Sequence, residues 1–175
     1  MYQLFEEKRV TSAEIEAKAR KAETRLIQVL KTSVDNTGTL GSRAGDTLKR
    51  LPSNVYWQGL ASWKIRLFDG SQDDYHRWLD CFYARTRDVR RDDDDELLRG
   101  SLRRNWHADL PAAPDGFPGE ADFGLTREEA RFIVDRIQLA APQSLLAFLS
   151  CRGYPADIPY VWMHPQLGEM STALQ

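Results

Sequence analysis

The sequence predicts a mainly α fold: an irregular multi-helix domain with a C-terminal helical hairpin and a long Pro/Gly-rich loop. Apolar residues recur at a 3.6-residue period in several stretches. Helix-start signals precede those stretches at Thr11, Ser71 and Thr126. The alternating pattern of strands is poor, and no internal repeat is visible.

Residues 2–8 read as a helical turn or two with no cap before them. Thr11-Ser12-Ala13-Glu14 reads as a capping box, in which Thr11 accepts from the backbone and Glu14 reaches back. The helix that follows presents Ile15, Ala19, Ala22, Leu26, Val29 and Leu30 on one face. Glu14–Lys18 and Glu16–Arg20 are i,i+4 pairs in the favourable order. Asp35-Asn36-Thr37-Gly38 is expected to end it. A short helix is predicted over Arg43–Leu51, stopped by Pro52. Ser53 or Asn54 then caps a helix carrying Tyr56, Leu60, Trp63 and Leu67 on one face.

Asp69-Gly70 turns the chain, and Ser71 caps the helix with the strongest periodicity: Tyr75, Trp78, Leu79, Phe82 and Tyr83. Residues 85–104 mix seven Arg with six acids, including Asp92-Asp93-Asp94-Asp95-Glu96, and read as a solvated loop or helix end. Thr126-Arg127-Glu128-Glu129 is a second capping box. Pro142 suits the first turn of the last helix and Gly153 its C-terminal cap. The organisation that follows is a helical domain with an aromatic core over 1–110, a Pro/Gly loop over 111–124, a helical hairpin over 125–153 and an extended tail over 154–175. The expected core is Trp57, Trp63, Trp78, Phe82 and the Leu26 face.

With 42% hydrophobic and 29% charged residues, the chain can bury a core and is not wholly disordered. No apolar run reaches the roughly 18 residues of a membrane span, and the first residues lack a signal-peptide pattern. A cytoplasmic location and no membrane partner are the resulting expectations. Cys81 and Cys151 are too few for a disulfide framework and read as buried free thiols. The net charge of −2 conceals a basic first part. Residues 1–68 hold 12 Lys and Arg against 7 Asp and Glu, and all six lysines.

The residues define no reaction. Asp92, Asp94 and Glu96 have the alternate spacing of a calcium loop but lack its turn Gly and distal Glu. His76, His107 and His164 fall in no zinc pattern, and the thiols do not complete one. His76 stands near Asp73 and Asp80 on one helix, a spacing that surface pairing explains as well as function. Glu14, Glu16 and Lys18 resemble the end of a nuclease motif but lie on a helix, without its strand and upstream acid. Phosphate-cradling glycine loops, nucleophile elbows and His-Glu-x-x-His are all missing from the sequence. No catalytic residue, cofactor or metal is therefore expected.

A nucleic-acid surface has more support. Residues Arg43 to Arg66 read as a helix-turn-helix-like stretch, whose Arg43, Lys49, Arg50, Lys64 and Arg66 could meet phosphates together with Lys18, Lys21, Arg25 and Lys31 of the preceding helix. Lys18, Lys21, Arg25, Lys49 and Arg50 are the chosen candidates. The second helix of that stretch is rich in Trp and Leu, so simple packing is the favoured explanation.

Leu51-Pro52-Ser53-Asn54-Val55-Tyr56-Trp57, Trp63-Lys64-Ile65-Arg66, Gly70-Ser71-Gln72-Asp73-Asp74-Tyr75-His76, Phe82-Tyr83-Ala84-Arg85, Asn105-Trp106-His107, Ser144–Leu149 and His164-Pro165-Gln166-Leu167 carry a resemblance to a bacterial family described as a domain of unknown function. The resemblance spans nearly the whole chain. It implies a central piece of a longer protein, which agrees with the uncapped start. It also implies a setting among restriction or phage-defence genes. Three expectations follow in order: a non-catalytic interaction module of a larger bacterial assembly, with a protein partner; a DNA- or RNA-binding domain using the basic first half; and an incomplete part of an enzyme.

Overall fold

The computed structural model describes residues 1–33, 41, 48–89, 104–152, 156–158 and 160–168. Among them are six α-helices and no strand: α1 (Tyr2–Glu7), α2 (Ile15–Lys31), α3 (Pro52–Ser62), α4 (Gln72–Val89), α5 (Arg127–Ala140) and α6 (Leu145–Arg152), followed by a 3-10 turn at Val161–Met163. The fold is mainly helical, as the periodicity predicts.

Local capping chemistry sets several of these boundaries. Ser71 and Asp74 form a reciprocal box at the start of α4: Asp74 N–H donates to Ser71 Oγ at 3.1 Å, and Ser71 N–H donates to Asp74 Oδ2 at 3.1 Å. The Ser71 hydroxyl, donating to Asp74 Oδ2 at 2.6 Å, then Arg77 and the Ser71 N–H, hold the Asp74 carboxyl down at about 2. Thr126 and Glu129 repeat the arrangement at α5. At α2 only half of the expected box forms. Glu14 reaches back to Thr11, whose hydroxyl donates to it at 3.0 Å, and regular helix begins at Ile15.

Helices α1 and α3 end alike. Ile65 N–H bonds Leu60 O and Lys64 N–H bonds Ala61 O, with Lys64 in the left-handed region at φ 57°. Arg9 plays the same part after α1, at φ 50°, with Val10 N–H on Phe5 O and Arg9 N–H on Glu6 O. These are Schellman closures, which most often carry glycine at that position.

The core joins Tyr2, Val10, Ile15, Ala19, Trp57, Tyr75, Leu79 and Trp106. Its centre is a knot of four aromatic rings. Tyr75 lies edge-on to Trp57 at 5.5 Å, Tyr2 at 5.7 Å and Trp106 at 5.9 Å. Edge-to-face pairs of this kind add about 0.5–1.5 kcal/mol each beyond their burial. Trp106 reaches the knot from outside any helix. Its segment pairs with the one after α3: Leu67 N–H donates to Asn105 O at 2.8 Å, and His107 N–H donates to Ile65 O at 2.9 Å.

The expected core needs correcting. Trp57 is buried as expected, but Trp63, Trp78 and Phe82 are only half-buried. Helix α3 starts at Pro52, with extended Leu51 as its cap and Asn54 accepting from Leu51 N–H at 3.2 Å. Neither Ser53 nor Asn54 is the cap. Trp57 faces inward while Tyr56 is 58% exposed, and the helix ends at Ser62, before Leu67, which is 44% exposed. On α2 the buried line is Ile15, Ala19, Glu23 and Ile27. Both thiols are exposed rather than buried. Most of the short helix expected over Arg43–Leu51 lies outside the described residues, and its end at 48–51 is not helical.

Helices α5 and α6 pack together as a hairpin. Gln138 Nε2 donates to Ala147 O at 2.5 Å and ties the two. Ser144, not Pro142, marks the start of α6, accepting from Ala147 N–H at 3.1 Å. The hairpin meets the rest of the chain at His107, whose ring lies edge-on to Phe132 at 5.5 Å and against Arg136 at 2.8 Å. The tail is not wholly extended: it makes its 3-10 turn, and Gln166 Nε2 donates to Arg152 O at 3.3 Å.

Candidate functional site

Two buried polar clusters flank the aromatic knot. In the first, Glu6 Oε1 accepts from Tyr75 Oη at 2.5 Å, Asn105 Nδ2 at 2.9 Å and Trp106 Nε1 at 3.0 Å. Burial raises the pKa of Glu6, with those three donors opposing it. A small cavity of about 230 Å³ lies beside this cluster, lined by Glu6, Glu7, Arg104 and His107 among others. The second cluster centres on Glu23, which is 1% exposed. Its carboxylate accepts Ser53 N–H at 2.8 Å and Ser53 Oγ at 2.6 Å. Gln72 joins Ser53 at 2.8 Å and also donates to Tyr2 Oη, while Asn54 donates to Gln72. Burial raises the Glu23 pKa too, against the Ser53 bonds. Four helices are thus held together by polar side chains at one end of the knot.

Arg66 is a third buried polar group, 3% exposed. Its guanidinium stacks 4.5 Å over the Trp57 ring and donates to Trp57 O at 3.1 Å and Gly70 O at 3.1 Å, and also to Phe68 O. The expectation of Arg66 as a phosphate contact is overturned: its donors are spent on backbone carbonyls.

Between α1, α2, α3 and the 110–117 loop runs a groove of about 650 Å³. Leu4, Leu26, Pro52, Leu60, Leu110 and Phe117 are among the residues of its apolar wall. Exposed Tyr56 stands on its lining, and Glu7, Glu23 and Glu129 bring carboxylates to it. Its size lies within the range of ligand pockets, about 300–1,000 Å³. Sequence reading missed this site. The Pro-rich segment was visible as a loop, but nothing local says which helices it lies across.

All five basic candidates are exposed. Lys18, Lys21 and Arg25 fall on one side of α2. Lys49 and Arg50 sit on the bend before α3, and Arg20 fastens that bend to α2 by donating to Leu48 O at 3.2 Å. Lys18 pairs with Glu14 at 3.4 Å. Arg25 lies so close to Gly119 that a side-chain carbon there would come within 2.7 Å of its guanidinium. Arg43 and the acidic run at 92–96 lie outside the described residues.

His76 is half-buried, stacked on Tyr2 at 5.8 Å, and its Nε2 has no hydrogen-bond partner. Burial lowers its pKa, against Asp73 and Glu16. Among the described residues no group of three His, Cys, Asp or Glu is placed to hold a metal ion. None of the described helices is long and apolar enough to cross a membrane.

The chain belongs to a family of unknown function, DUF6361, whose model matches residues 1–171. No curated protein and no solved structure matches it.

Proposed function

We propose that this chain is a non-catalytic interaction module of a larger assembly, and that the groove against the 110–117 loop is where a partner protein docks. The observation that carries the reading is the groove itself: about 650 Å³, mostly apolar, with an exposed tyrosine on its lining. Apolar pockets of this kind receive the anchoring side chains that dominate protein interfaces. Leu139, Leu146, Tyr160 and Trp162 add exposed apolar surface around the hairpin and tail. A bacterial, cytoplasmic assembly concerned with phage defence is the setting that the family resemblance favours.

Filling the groove tests this. Ala113 lines it, and Ala113→Trp occupies it from the loop side. The immobilised chain should retain a partner from its host that the filled variant loses. Identical retention by both would end the reading.

A second reading keeps the basic surface. Lys18, Lys21 and Arg25 share one exposed side of α2, and Lys49 and Arg50 are exposed on the bend before α3, which supports a polyanion-binding surface. Its test is a nucleic-acid titration at two salt concentrations. Phosphate contacts give affinity that falls steeply with salt. Charge reversal at Lys18, Lys21, Arg25, Lys49 and Arg50 should abolish that affinity, and unchanged binding would remove this reading.

A further inference from the structure

We infer that the groove takes an extended peptide segment of a partner in which a Lys or Arg stands among apolar residues. This rests on the docking reading above and gives the partner a chemistry. Two features of the groove carry it.

The first is charge. The acidic side chains on the lining are Glu7, Glu23 and Glu129, and among the described residues no Lys, Arg or His lines it. Among the described residues the α-amino group of Met1 is the positive charge at the wall. Burial lowers its pKa, with Glu7 and Glu23 opposing, so the set stays net negative. An acidic segment would meet like charges in a setting where they are poorly screened, and a basic one would be drawn in. The exposed ring of Tyr56 on the same lining also suits a cation.

The second is backbone. Residues 110–114 run without helix or turn along the groove. Pro111 and Pro114 have no N–H to give. Ala112 and Ala113 make no backbone hydrogen bond within the described residues. An extended segment laid beside them can pair with those free groups while its side chains enter the apolar wall, as in strand addition. A compact ligand or a helix would leave them unused.

The test selects a random peptide library displayed on phage against the immobilised chain. Selections run in parallel on Ala113→Trp and on Tyr56→Ser, a change at an exposed position that keeps the fold in play if the first variant is damaged. The expected result is enrichment of peptides with Lys or Arg flanked by apolar residues, lost on both variants. Replacing the basic residue of a selected peptide by Gln should weaken binding about tenfold in calorimetry, and Glu7→Gln with Glu129→Gln in the chain should do the same. Enriched peptides that are neutral or acidic, yet lost on the groove variants, would overturn the assigned chemistry and leave docking standing. Absence of enrichment, or peptides that bind the groove variants as well as the parent, would overturn both.

Discussion

The hydroxyl of Tyr75 donates to Glu6 Oε1 at 2.5 Å, and Trp106 Nε1 meets both the same oxygen at 3.0 Å and the Tyr75 hydroxyl at 3.3 Å. One carboxylate on the first helix thus orders the first turn of α4 and the loop that carries Trp106. Removing it strands the polar ends of three buried residues. Glu6→Ala should therefore lower stability by about 2–3 kcal/mol, while Glu6→Gln, which keeps an acceptor, should cost less than half of that. Urea unfolding followed by Trp fluorescence reads both. Equal midpoints for parent and Glu6→Ala would show that water replaces the carboxylate without loss.

That cluster also shows where sequence reading stops. Ser71 with Asp74 and Thr126 with Glu129 were legible because a cap and its partner are three residues apart. Helices α2 and α4 were legible from their period. Glu23 was not, because a carboxylate on an apolar helix face has no local signature; its partner Ser53 is 30 residues away. Trp106 has no helical period around it, and its neighbours Glu6 and Tyr75 come from distant segments. The face of α3 was misread by running the helix past its end: it closes at Ser62, Trp57 faces inward and Tyr56 outward. The groove combines these long-range placements, so the local pattern could not announce it.

Lys64 closes α3 at φ 57°, where a side chain is strained and glycine is not. Lys64→Gly should raise stability by about 0.5–1 kcal/mol: the relief of strain exceeds the lost charge at a helix C-terminus and the extra freedom of glycine in the unfolded chain. A thermal melt settles the sign. A lower midpoint would mean that the lysine makes contacts worth more than its strain.

Arg66 uses a planar fork to reach carbonyls on both sides while stacking on Trp57. A lysine cannot do both. Arg66→Lys is expected to cost about 2 kcal/mol and to change the Trp57 environment, seen as a shift of fluorescence emission at low denaturant. Unchanged stability and emission would show that the fork is dispensable.

His76 gives the chain a pH dependence of definite sign. Its folded pKa lies below the unfolded value, because burial penalises the imidazolium more than Asp73 and Glu16 favour it. At a pH above both values the ring is neutral in either state and contributes nothing to the dependence. As pH falls through about 6.5, the unfolded chain takes up the proton first, and stability drops until the folded pKa is passed. Glu6 and Glu23 pull the other way at lower pH, since their raised pKa values make the folded state the earlier proton acceptor. A difference measurement separates the effects. His76→Phe keeps a ring against Tyr2 and removes both the titration and the unpaired buried Nε2. The variant should equal or exceed the parent in stability at about pH 7.5, and its advantage should widen by about pH 5.5. Urea midpoints for both proteins across that range supply the comparison, and parallel curves would show that the proton on His76 does not distinguish folded from unfolded chain.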